Sequence, residues 1–405
     1  MNLLLSCAVP PYISMWKGGG DMASTVRVIP FFLLAMAMFY YPQEVVLSAA
    51  DGLSLWWKFV LPALLPFFIL SELLMGAGFV HFLGVLLEPI MRPVFRLPGQ
   101  ASFVLAMSFT SGIPIGAVLT SKLRQQNAVT REEGERLLAF TSNPSPGFMF
   151  GAVASSMMGK PGLGVVLAGS VYLANLLVGI LFRFYRMKKS EELLSGPPSL
   201  KRAYQELQRS QIQDNRPFGQ LLGDAIRQSV NTILLVGGFI TIFSVLVHML
   251  EVLRITMSLG YLLQLLSSGA ITLPAVSALV NGFLETTLGC RTTINAFSTL
   301  HLQVGVLAAL LGWGGLSVFA QVASFTSTTD LRFTPFVVGR AMHAMFAFIL
   351  SQIFLSFIKI PVFQPGLSVP SYGFLETWRL SAWIFCAVML LLFGISFILR
   401  LVYRR

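Results

Sequence analysis

The chain alternates long apolar stretches with short polar ones. A helix rising 1.5 Å per residue needs about 20 predominantly apolar residues to cross the hydrocarbon of a bilayer. That ruler predicts about eight crossings, over residues 28–41, 56–77, 136–158, 162–182, 226–248, 301–324, 335–357 and 381–401. Two further stretches, 97–123 and 268–291, are long enough to span but have polar, glycine-containing centres. These predict re-entrant hairpins. In residues 81–96 and 251–266, apolar positions recur at helical spacing among Glu88, Arg92 and Arg96, or Glu251 and Arg254. This pattern predicts helices lying in the membrane interface.

One stretch breaks the rhythm. Residues 183–220 are hydrophilic, with Lys188, Lys189, Lys201, Arg202, Arg209 and Arg216 around Gly196-Pro197-Pro198, and predict a solvated linker with no core, whose charges need no partner. The resulting division is an N-terminal extension 1–27, a first span and outer segment 28–55, one unit over 56–183, a cytoplasmic linker 184–220, a second unit over 221–359, and a C-terminal span with a basic tail over 360–405. Lys17-Gly18-Gly19-Gly20-Asp21-Met22 reads like a translated ribosome-binding site, so Met22 is the expected natural start.

The two units align with each other at a constant offset of 170 residues, which pairs Val60 with Val230, Gly112 with Gly282, Leu137 with Leu307, Gly169 with Gly339 and Ala174 with Ala344. The order of elements agrees as well. Each unit has three crossings plus one hairpin, and an odd number of crossings inverts the second unit relative to the first. Charge supports this orientation: with the linker inside, only Lys58, Lys160, Arg254, Arg291, Lys359 and Arg379 of the 28 Lys and Arg residues fall outside. The fold class expected is an all-α polytopic membrane protein with about eight transmembrane helices and two re-entrant hairpins, arranged as two inverted repeats.

Composition agrees with the pattern and narrows the function. Hydrophobic residues make up 55% of the chain and charged ones 11%, far from the roughly one quarter charged of a soluble domain. The net charge of +11 is explained by basic cytoplasmic loops, and no nucleic-acid-binding pattern accompanies it. Cys7, Cys290 and Cys386 form no metal or disulfide spacing, and His81, His248, His301 and His343 form no HExxH. The chain contains no GxSxG and no phosphate-cradling GxxxxGK. An enzyme is not expected, and no cofactor or metal is called for.

The chemistry-bearing positions sit where the apolar stretches are interrupted. In the first unit these are Thr110, Ser111 and Gly112, followed by Thr141, Ser142, Asn143, Pro144, Ser145 and Pro146; in the second, Asn281, Gly282, Glu285, Thr286 and Thr287, followed by Gly312-Trp313-Gly314-Gly315 with Ser317 and Gln321. Unwound backbone in a bilayer survives only where protein, water or a solute satisfies it. Converging breaks, with half-helix N-termini and freed carbonyls, form the kind of midplane site that binds a polar solute. The expected substrate-binding set is Ser111, Gly112, Thr141, Ser142, Asn143, Ser145, Asn281, Gly282, Glu285, Thr286 and Gln321. For any single glycine or serine, close helix packing is the competing explanation. Glu285, a carboxyl inside an apolar segment, either lines a pathway, as the expected holder of a coupling sodium or proton, or pairs with Arg291. Asp330 and Arg332 read as an exposed pair, and Arg340, near a helix start, as a side chain that snorkels.

Through Ser111-Gly112-Ile113-Pro114-Ile115-Gly116, the Glu135-Arg136-Leu137-Leu138 approach and the Asn143-Pro144 break, the chain resembles the YlbJ family of sporulation integral membrane proteins, within the wider nucleoside-recognition Gate group. The resemblance runs from about residue 27 to residue 395. It implies a two-gate membrane protein, in the cell membrane or a forespore membrane, needed for the spore cortex. The group includes concentrative nucleoside transporters, whose inverted repeats look like the arrangement above. Their site motifs are not reproduced here, so nucleoside as substrate is not carried over. The function expected is a secondary-transporter-like carrier of a small polar solute, coupled if at all to sodium or protons, in contact with lipid and able to form a homo-oligomer. The alternative is a membrane scaffold that recruits cortex or engulfment proteins through the linker.

Overall fold

The computed structural model describes residues 21–186, 200–268 and 271–357. Every regular element among them is a helix: α1 Asp21–Tyr40, α2 Pro42–Leu55, α3 Leu61–Gly76, α4 Phe79–Phe95, α5 Ala101–Ser111, α6 Ile115–Gln125, α7 Arg131–Phe140, α8 Leu163–Phe182, α9 Leu200–Asp214, α10 Phe218–Val252, α11 Ile255–Leu266, α12 Leu273–Leu284, α13 Thr286–Ala296, α14 Leu300–Trp313, α15 Gly315–Thr326 and α16 Thr334–Phe357. Two π-helical segments, Trp56–Val60 and Gly147–Met157, join α2 to α3 and precede α8.

Four of these helical stretches, Leu163–Phe182, Phe218–Val252, Leu300–Thr326 and Thr334–Phe357, are long and apolar enough to cross a membrane, and the count rises to six if each of two bent pairs is one span. The bends have local causes. At Tyr41, Pro42 opens α2 without an amide donor, and the axis turns by 104°. At Gly78, which is left-handed at φ 78°, the axis turns by 83° between α3 and α4. Two of the eight crossings expected from hydropathy are not in this set. Residues 136–158 are divided into α7 and the π-helix by an extended segment, and 381–401 lies outside the described residues, as does 1–20 of the expected N-terminal extension.

Both stretches with polar centres break there. α5 and α6 pack against each other across Gly112–Pro114, and α12 and α13 pack against each other across Glu285. At 11 or 12 residues each arm is about 17 Å long, roughly half the hydrocarbon thickness.

The two mixed-character helices have different surroundings. α11 exposes Ile255, Met257, Tyr261, Leu262, Leu265 and Leu266, an apolar surface suited to lipid. On α4, by contrast, Val80, Leu83, Leu87, Ile90 and Met91 are buried. Part of its cover comes from the stretch expected to be a solvated linker. There α9 packs on α4, buries Ala203, and donates from Gln211 to the Ala77 carbonyl at 3.1 Å. Ala203 and Leu207, one turn apart, provide a narrow apolar stripe, enough to dock a helix that is otherwise charged, while Leu200 stays exposed.

α16 ties the halves together, packing on α7 and α8 from the first and α14 from the second. One end of the bundle carries an ion-pair cluster. α7 starts with a capping box between Thr130 and Glu133, and Arg92 reaches Glu88 at 2.6 Å and Glu133 at 2.8 Å. The expected Asp330–Arg332 pair is not formed. Asp330 binds Arg124 at 2.8 Å, and Arg332 lies 3.7 Å from the buried Glu135, because the turn before α16 packs onto the end of α6 and onto α7.

Candidate functional site

Each break places a bend in one helix pair against a break in another. Gly112, at φ 88° and ψ −161°, is in a region open essentially to glycine alone. A Cβ there would lie 2.7 Å from the Ser145 amide nitrogen, so the α5–α6 bend sits directly on the extended segment after α7. The second half has the matching contact. Gly315, at φ 75°, has the Leu284 carbonyl and Glu285 Cα within 3.0 and 3.1 Å of where its Cβ would be, so the break between α14 and α15 sits on the α12–α13 bend.

The extended segment leaves helical carbonyls without their usual amide partners, and neighbouring side chains take them over one at a time. Asn175 of α8 donates to the Phe140 carbonyl, Arg340 of α16 to that of Ser142, and the Tyr172 hydroxyl to that of Pro144 at 3.3 Å. These three carbonyls are therefore satisfied by protein. The side chains are not. Ser111 Oγ, Ser142 Oγ and both amide atoms of Asn143 are buried with no hydrogen-bond partner within the protein. Thr141 differs, donating to the Leu137 carbonyl at 2.8 Å, and Ser145 Oγ accepts from the Phe148 amide at 3.2 Å.

The second half's residues divide between two places. Glu285 caps α13, accepting from the Leu288 amide at 2.8 Å. No ion pair to Arg291 forms, and Arg291 is exposed. Thr286 Oγ1 is buried and unpartnered beside it, and Gln321 is buried on α15. Gly282 packs under Leu310. Asn281 turns away from this group. Its Nδ2 donates to Glu251 at 2.9 Å, and Glu251 continues through His248, 3.9 Å away, to Glu44, 2.7 Å from that imidazole.

Arg340 connects the two breaks. Expected to snorkel, it is instead completely buried, because it lies two turns into α16 where α7, α8 and α14 all converge. Its Nη1 donates to the Ser142 carbonyl, Nη2 to Leu311 at 3.1 Å and Nε to Trp313 at 3.0 Å. Trp313 in turn donates from its indole to the Phe283 carbonyl at 3.2 Å. The fixed cation thus sits at the C-terminal ends of α7 and α14, where each helix dipole supplies about half a negative charge. Among the described residues no carboxylate lies within ion-pair distance of it. Tyr172 and Asn175 are not singled out by the sequence, and Arg340 and His343, though named there, are not placed in the site. The available signal was an arginine and a histidine three residues apart inside an otherwise apolar span.

With this geometry, comparison with known proteins is informative. A family described as "Gate: Nucleoside recognition" matches residues 57–161, the stretch that contains the first bend and the first break. The sporulation integral membrane protein YlbJ of Bacillus subtilis (strain 168) is 43% identical over 334 residues, covering 80% of this chain and 81% of that protein. The chain belongs to the YlbJ family. An uncharacterized protein of Alkalihalophilus pseudofirmus is 27% identical over 160 residues, 38% of this chain and 34% of its own length. No solved structure matches. As a YlbJ-family member with several apolar membrane-length helices, the chain is an integral, multi-pass membrane protein.

Proposed function

We propose that this protein is a secondary-transporter-like carrier, made in sporulation, that moves a small polar solute across the cell membrane or a forespore membrane in support of the spore cortex. The observation that carries the reading is the set of buried, unpartnered polar atoms on Ser111, Ser142 and Asn143 beside a broken helix. Each such atom costs about 1–3 kcal/mol if left unmade. A polar solute exchanging those bonds in one state of a transport cycle explains why the cost is kept. The relative's name supplies the sporulation setting.

Two inverted repeats are part of the proposal. The contact of Gly112 with Ser145 and that of Glu285 with Gly315 involve positions separated by about the 170-residue offset, and inverted repeats are how many carriers build one site with two gates. On this reading residues 97–123 and 268–291 are re-entrant, sodium or protons are the coupling ion, a homo-oligomer is compatible with the lipid-facing surfaces, and no catalysis takes place.

The test is uptake by the purified full chain in liposomes against a panel of small polar solutes. Saturable uptake that Asn143→Ala abolishes, with fold and insertion intact, is the expected result. Should cortex formation survive Asn143→Ala and Ser142→Ala but fail when the linker is shortened, the carrier reading gives way to a scaffold.

A further inference from the structure

The carrier reading leaves the coupling ion open, and Glu285, whose carboxylate caps α13, keeps its accepted bond whether or not an ion is present. At His343 a proton would instead reverse the sense of a hydrogen bond. His343 is completely buried one turn after Arg340 on α16, with Nε2 2.8 Å from the Val171 carbonyl and Nδ1 3.0 Å from Arg340 Nη1. A guanidinium donates and has no lone pair to accept with, so Nδ1 must be the acceptor and Nε2 must carry the hydrogen given to Val171. The partners alone assign this tautomer. His343 is therefore neutral here, and its Nδ1 lone pair helps to orient the same Nη1 that grips the Ser142 carbonyl.

We propose, resting on the carrier reading, that His343 Nδ1 is the site of a coupling proton, and that Arg340 is the positioning residue through which the proton acts on both breaks. A proton delivered from water to that lone pair turns the acceptor into a donor. Two N–H groups then face each other, and two positive charges share a buried site with no carboxylate nearby. The arrangement that holds Arg340 on Ser142, Leu311 and Trp313 excludes the protonated imidazole. By linkage, acid favours the form in which Arg340 has left the Ser142 carbonyl and the break after α7 is free of the break after α14. Loss of the proton to the opposite side restores the grip.

The other ionisable groups on the elements packed against α16 are engaged elsewhere. From α8, the Tyr172 hydroxyl is turned to the Phe109 and Pro144 carbonyls. On α14, His301 lies near Gln352, at 3.3 Å. On α7, Glu133 and Glu135 belong to the ion-pair cluster with Arg92, Arg131 and Arg332, and Arg136 and Glu132 sit on the same short helix. Arg340 is the charged group facing the imidazole.

The test reads accessibility rather than uptake, so that it stands apart from the carrier reading. In the full chain, with native cysteines replaced by serine, Asn143→Cys is labelled in lipid vesicles by a small thiol reagent between about pH 7.5 and pH 5.5. The same chain carrying His343→Gln is the reference, since glutamine can accept from Arg340 and donate to Val171 without titrating. The ratio of the two rates removes the thiol's own pH dependence. The expected result is a ratio that rises about tenfold on acidification, and a flat ratio overturns the proposal. If the glutamine variant does not fold, ¹⁵N spectra of the unsubstituted histidine decide. Nδ1 as acceptor at neutral pH, converting to imidazolium together with the rise in labelling, supports the proposal, whereas conversion without a rise overturns it. Absence of uptake for every solute with the acid-dependent opening intact would defeat the carrier reading and leave the proton site standing.

Discussion

The Arg340 guanidinium donates to the main-chain carbonyl of Ser142, a residue 198 positions earlier in the chain. The same side chain holds Leu311 and Trp313, so one cation closes the ends of two interrupted helices. Replacing it with methionine keeps the volume and removes every donor. Arg340→Met is expected to cost about 1–3 kcal/mol for each buried carbonyl left unpaired, with Arg340→Lys intermediate because an ammonium cannot reach all of these carbonyls at once. Thermal unfolding in detergent measures this. A methionine variant as stable as the parent would show that these carbonyls do not need Arg340.

Glu285 acts on α13 through one accepted amide bond. Glutamine keeps an acceptor oxygen there and alanine does not. Glu285→Gln is expected to lose well under 1 kcal/mol and Glu285→Ala about 1 kcal/mol, as for other N-caps. Equal losses in the two variants would point to the charge rather than the cap.

Gly112 combines a backbone conformation of its own with direct contact on Ser145. Alanine there meets both penalties, the strained φ and a clash with main-chain atoms. Gly112→Ala is expected to destabilise by about 1–3 kcal/mol from the backbone alone, and to raise proteolytic sensitivity around residues 141–147. Gly223→Ala, on a glycine with open space around it inside α10, is the control and is expected to be neutral or slightly stabilising.

The Arg124 guanidinium, hydrogen-bonded to Asp330, holds that carboxyl below the usual aspartate range. A folded-state value below the unfolded one contributes stability above the unfolded value of about 4, and that contribution is lost as pH falls through the folded one. Because Asp330 is about half exposed, the pair is worth less than about 1 kcal/mol. Asp330→Asn should lower the unfolding temperature slightly at neutral pH, with the difference disappearing as the pH falls below the ordinary aspartate range. A difference independent of pH would assign it to packing instead.

The breaks could be read from the sequence because prolines and glycines in an apolar run signal themselves, and Gly112, Pro144, Pro146 and Gly314 all fall where helices end. What fills the breaks could not. Arg340's carbonyl partners at Ser142, Leu311 and Trp313 are backbone groups that every residue offers, so nothing in the sequence marks them as partners. Asn281 was grouped with Glu285 by proximity along the chain. Leu284 ends the helix between them, and the turn carries the two side chains to different neighbours, Glu251 for one and the α13 amides for the other. The docking of α9 is hidden for another reason, since two apolar positions among many charges are outweighed in any average over the stretch.

Because Arg340 is held by carbonyls rather than by carboxylates, the demand on the amino-acid sequence is one-sided. The bonds that positions 142, 311 and 313 make to Arg340 survive a change of side chain, provided the backbone path is kept, whereas position 340 has no substitute with the same reach and charge. A saturation library scored for folded protein would therefore tolerate more alleles at position 142, whose side chain has no partner within the protein, than at the arginine, and compensating changes would appear at residues that steer the backbone.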